Sequence, residues 1–222
     1  MATDPRKRQK QLAKKKAKRK VVTTQKIVAQ LGGGFLSQTV LEKSPIHECF
    51  VAENIFEAGI GSVIIARQIP NGEIAVGFFM LDSWCLGIKN AFLADLTEDE
   101  YQQKLQDVRF NEEIQPVSPA YARKLVEDCG VYAKDLGFSP HPDYKKAKRV
   151  FGNIDPGECT ESFKFGKDGK PYYVSGPYDT PEKTHKILKT LEKNCGTDNY
   201  HYLSQLGPFD DDDDDKQLEW KV

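Results

Sequence analysis

Three consecutive stretches decide the fold: SVIIARQI at residues 62–69, PNGE at 70–73 and IAVGFFML at 74–81. The first is rich in β-branched residues and reads as a strand. Pro70, Asn71, Gly72 and Glu73 form a strong turn signal. The third is apolar almost throughout, which predicts a strand buried on both faces. Together they predict a hairpin in a small sheet.

Helix signals surround it. Upstream, Leu36, Val40, Leu41, Cys49, Phe50, Ile55 and Phe56 predict two short helices separated by Pro45. Downstream, Thr97 and Glu100 have capping-box spacing, with Tyr101, Leu105 and Val108 at helical intervals. Ser118 followed by Pro119 starts a second helix, which Gly137 ends. A turn at Pro140–Asp143 leads into a short basic helix from Tyr144 to Phe151. Residues 162–165 and 171–175 predict a second hairpin across 166–170. Thr180 and Pro181 open a last helix, which Gly196 stops. The expected fold class is α+β: antiparallel hairpins in a small sheet packed with four to six helices. No linker rich in Pro, Gly or Ser divides the middle, so residues 21–200 read as a single domain.

The ends differ from the middle. Net charge over 222 residues is −1. Residues 1–20 hold ten Lys/Arg and one acid, Asp4, and ten less one gives +9, leaving −10 for the rest. This arm has too little apolar surface to offset the entropy of ordering, so disorder is expected. Six consecutive aspartates, Asp210 to Asp215, mark an acidic tail over 201–222. Leu218 and Trp220 beyond them are candidates for docking a protein partner. No apolar run approaches the ~20 residues of a membrane span. The N-terminus lacks a signal-peptide core, and a cytoplasmic protein is expected. Five cysteines without a CxxC pair read as free thiols.

Crowded cations select polyanions, and ribonucleoprotein, RNA or DNA is the expected partner. The candidate contacts in the arm are Arg6, Lys7, Arg8, Lys10, Lys14, Lys15, Lys16, Lys18, Arg19 and Lys20. The arm carries no aromatic residue, so it would hold backbone rather than bases. Lys145, Lys146, Lys148 and Arg149 add a basic helix, and Lys164, Lys167 and Lys170 interleaved with Tyr172 and Tyr173 make the second hairpin a candidate grip for single-stranded nucleic acid through stacking and backbone contacts. Gly32-Gly33-Gly34 lacks the Gly-Lys-Ser/Thr ending of a P-loop.

A second reading is a metal-assisted phosphodiesterase or related hydrolase. Asp82 follows a buried strand, where carboxylates are commonly presented. With Asp143 and Asp155 it would hold a divalent cation, His141 supplying acid–base capacity and Lys89 or Lys170 stabilising charge. Without that cluster no cofactor is expected. The favoured reading of Asp82 is a turn cap bonded to its own downstream amides, and His141-Pro142-Asp143 reads equally well as a turn. A third reading is a protein-interaction module with solubilising tails.

Overall fold

A computed structural model describes residues 37–204 of the chain. The basic arm, the segment 21–36 with its three glycines, and the tail with Asp210–Asp215, Leu218 and Trp220 lie outside the described residues.

The chain enters through a short helix, α1 (Gln38–Lys43), whose first turn is capped by the Ser37 hydroxyl. Ser44 then takes an extended conformation, as a residue before proline must. The chain continues as a strand, β1 (Ile46–Ala52), where the sequence predicts helix. The reason is tertiary: β1 pairs antiparallel with a strand on each side, so its backbone groups are satisfied only if extended. One helical turn, α2 (Ile55–Ala58), leads into β2 (Ile60–Gln68).

The expected hairpin is present. β2 pairs with β3 (Ile74–Asp82) across the Pro70–Glu73 turn, in which Gly72 adopts φ 86°. A third long strand, β4 (Gly87–Leu96), pairs with β3; the sequence reading leaves it unassigned. The capping box then forms as expected: Glu100 N–H donates to the Thr97 hydroxyl, Thr97 N–H to the Glu100 carboxylate, and α3 (Glu98–Asn111) begins there. After β5 (Ile114–Pro116), the Ser118 cap opens α4 (Pro119–Asp135). The antiparallel sheet has the order β4-β3-β2-β1-β5.

Its two faces are both covered. One packs on a cluster that includes Val63, Ile65, Phe79, Leu125, Val126, Val150 and Phe151; the other holds Ile64, Phe78, Tyr101 and Leu105. This sandwich explains the continuous apolar character of 74–81, since both sides of β3 face a core.

The expected basic helix is one α-helical turn, α5 (Tyr144–Ala147), continued as a 3-10 turn over Lys148–Phe151. The second hairpin is largely absent. Asp168 (φ 53°) and Gly169 (φ 80°) make a two-residue turn between Lys167 and Lys170. The ladder stops there. Pro171 offers no N–H to extend it. Phe163 and Phe165 turn instead onto Phe56, Tyr121 and Tyr132. β6 (Tyr172–Val174) then pairs in parallel with β7 (His201–Leu203), so ordered structure continues past residue 200. The connection is the Thr180-capped α6 (Pro181–Cys195). Tyr173, Ile187, Leu188 and Leu191 form a third cluster between α6 and β6, with Cys85 and Leu136. Six α-helices and a five-stranded antiparallel sheet among the described residues give an α+β fold. No helix among those residues is long and apolar enough to cross a membrane.

Candidate nucleic-acid interface

Asp82 ends β3 and is 7% exposed. Its Oδ1 accepts a hydrogen bond from the Cys85 amide at 2.8 Å, and Lys89 Nζ lies 3.8 Å from Oδ2. Burial pushes the carboxyl above the usual aspartate range, against the pull of Lys89 and the amides of Cys85, Leu86 and Trp84. Asp82 therefore closes the β3–β4 turn, one of its two sequence readings. The other two carboxylates are likewise engaged locally. Asp155 accepts from the Gly157 amide at 2.8 Å. The Asp143 amide donates to His141 Nδ1 at 3.3 Å, and the Asp143 carboxylate lies 3.8 Å from that nitrogen. The His141 amide donates to the Ile88 carbonyl.

These residues do not assemble the expected metal site. Among the described residues, no three His, Cys, Asp or Glu side chains are grouped to hold a cation. A shallow depression of about 460 Å³ beside α1 is lined by residues such as Val40, Lys43, Pro45 and Ile69, and by none of Asp82, Lys89, His141, Asp143 or Asp155. The cause is local: in these short loops Asp82 and Asp155 bond amides two or three residues on, and Asp143 faces His141.

The basic residues fare differently. Within α5 and its 3-10 continuation, Ala147, Val150 and Phe151 point into the core. Lys145, Lys146 and Lys148 are thereby left exposed, and Arg149 half-buried. A buried guanidinium anchors this turn. Arg67, 1% exposed, donates to the carbonyls of Val150 (2.6 Å), Phe151 (2.7 Å) and Ser44 (2.5 Å), and to Asn153 Oδ1 (3.3 Å).

Lys170 and Tyr172 sit in a second group that the sequence reading only half contains. The Tyr172 ring lies 5.4 Å from that of Trp84, tilted by 43°, and 6.5 Å from the exposed His201 ring, edge-on. Lys167 Nζ hangs over both larger rings, 4.6 Å from the Trp84 centroid and 4.9 Å from that of Tyr172. Lys170 Nζ reaches the Asp198 carbonyl at 2.8 Å. Trp84 is fixed from below: its Nε1–H donates to the Phe56 carbonyl at 2.7 Å. Gly59 presses on the indole so closely that a Cβ there would meet Cδ2 at 2.2 Å. The Tyr172 amide donates to the Trp84 carbonyl, and Tyr132 Oη donates to the same oxygen. Sequence separation hid this group. From sequence, Trp84 reads as a neighbour of Asp82 and His201 as the start of the tail, while Lys167 and Tyr172 read as a nucleic-acid-gripping hairpin without either of them.

Compared with protein-family models, curated proteins and solved structures, the chain finds no match, so its function rests on this geometry and on its charge.

Proposed function

We propose that this is a cytoplasmic accessory protein that binds the phosphate backbone of a nucleic acid or ribonucleoprotein. The observation that carries the reading is the concentration of ten Lys/Arg in residues 1–20 of a chain whose remainder is acidic. The arm supplies affinity by releasing counterions from phosphates. Lys145, Lys146 and Lys148, held outward by a turn pinned at Arg67, together with Lys170 and Tyr172, orient the bound strand.

The test is binding of RNA and DNA by the full chain across a range of salt. With six to ten phosphates engaged, affinity should drop by roughly 10³–10⁵ between ~50 and ~200 mM salt. Deleting residues 1–20 should weaken binding on the order of 100-fold or more and leave the circular dichroism spectrum of the fold unchanged. Equal binding by the truncated and full chains overturns the proposal. Co-purification with a protein and no nucleic acid would instead favour an interaction module.

A further inference from the structure

We infer that Trp84, Tyr172 and His201 form a stacking platform for unpaired bases, so that the nucleic acid this chain prefers is single-stranded. The inference rests on the nucleic-acid reading above and adds to it what the basic arm cannot supply. An arm without aromatic side chains holds duplex and single strand alike through phosphate. Discrimination needs ring faces that only an unstacked base can reach.

Three segments distant in sequence bring such rings together: the β3–β4 turn, β6 and β7. Parallel pairing places Tyr172 opposite His201, so their side chains share one face of the two-stranded sheet. On the opposite face Tyr173 is fully buried against α6, with its hydroxyl on Asp179 and near Thr184, while its pair Tyr202 is 38% exposed. Val174 and Leu203, the next pair along the outward face, are 37% and 58% exposed. The face therefore continues as open apolar surface instead of ending in a charged rim.

Charge complementarity selects the occupant. The group lying on the Trp84 and Tyr172 rings is an ammonium, Lys167, carried by a solvent-exposed residue between Gly166 and Asp168. Both neighbours have positive φ, and the whole loop is the tight 166–170 turn. Lys167 acts as a placeholder: an arriving base takes its place on the rings, and the freed ammonium moves to the phosphate of that nucleotide. Neither a cation–π contact at an exposed site nor a phosphate contact in water is strong alone, so the exchange is close to balanced and stacking decides its direction.

The experiment uses the full chain carrying Trp220→Phe, which leaves Trp84 as the one tryptophan of two. The probes are an unlabelled oligouridylate of about 12 nucleotides and an RNA duplex of the same length, titrated at several salt concentrations. The expected result is quenching of Trp84 emission by the single strand only. Tyr172→Ala should weaken single-strand binding about tenfold, in line with loss of one stacked base, and weaken it more than duplex binding, with the salt slope kept. Tyr172→Phe should restore it. Tyr172→Leu, which keeps an apolar side chain without the ring, replaces the alanine variant should that fail to fold. Lys167→Gln should keep the quench and lower the salt slope by about 0.7, one phosphate contact on a single strand. If binding is salt-dependent but Trp84 emission does not change and the ring-free variants bind as the parent does, the platform is wrong while the nucleic-acid reading stands. If neither oligonucleotide binds at low salt, both fall together.

Discussion

The carboxylate of Asp179 accepts hydrogen bonds from the Gly176 amide at 2.7 Å and the Tyr173 hydroxyl at 2.9 Å, and lies 2.7 Å from Lys183 Nζ. Burial works to raise its pKa; the bonds from Lys183, Gly176 and Tyr173 outweigh that and hold it below the usual aspartate range. A carboxyl lowered on folding stabilises the protein above its unfolded pKa and stops doing so as pH falls through the folded value. Asp179→Asn should therefore cost about 2 kcal/mol near pH 7, typical of hydrogen bonds to a charged group. The deficit should shrink as pH falls below about 4. Urea titrations at a series of pH values check both. Asp82 has the opposite sign. Its raised carboxyl favours the fold at low pH and loses that contribution as pH rises, so Asp82→Asn should be the milder change at neutral pH. Asp82 was legible from sequence as a turn cap because its partner amide is three residues away. Asp179 has an equally near amide in Gly176, but its bond to the Tyr173 hydroxyl depends on β6 burying that ring against α6, which no local pattern reveals.

Elements whose cause is local were readable. Thr97 with Glu100, Ser118 with Pro119 and Thr180 with Pro181 each place a cap one residue before a helix, and all three helices begin there. Gly72 in the 70–73 turn belongs to the same class. Elements whose cause is distant were misread. β1 is a strand because β2 and β5 flank it, and β6 is parallel because α6 carries the chain back beside it. The basic α5 turn combines both kinds. Its lysines are visible in sequence, while the residue that holds it comes from β2, more than 80 positions upstream. Arg67→Ala should take the guanidinium donor from the Val150 and Ser44 carbonyls, whereas Phe151 keeps the Ile154 amide. At roughly 1–3 kcal/mol for each unsatisfied group, a loss of about 2 kcal/mol or more is expected. Amide exchange in residues 144–154 should quicken more than in β2 itself, since the anchor rather than the sheet is what fails. Uniform exchange rates across both would show that Arg67 pins nothing in particular.

Taken whole, the molecule separates its chemistry by place. Two apolar clusters clothe the large sheet, a third ties α6 to β6, and the groups proposed for binding lie at their margins, on the β3–β4 turn, α5, β6 and β7. That division explains why the fold class could be read while the site could not. Hydrophobic periodicity reports the clusters, but nothing along the chain reports that Trp84, Tyr172 and His201 converge. It also fixes the fate of the sulfur atoms. Cys49, Cys85 and Cys129 lie within these clusters, and Cys159 and Cys195 are only partly covered. Burial pushes the Cys49 thiol up to about 12 and raises those of Cys85 and Cys129 as well, so all three are shielded and protonated near neutrality. A thiol-specific dye should therefore stain two sulfurs quickly and the remaining three only at the pace of global opening. The protein thus carries a native stopwatch for its own unfolding, with no foreign label required.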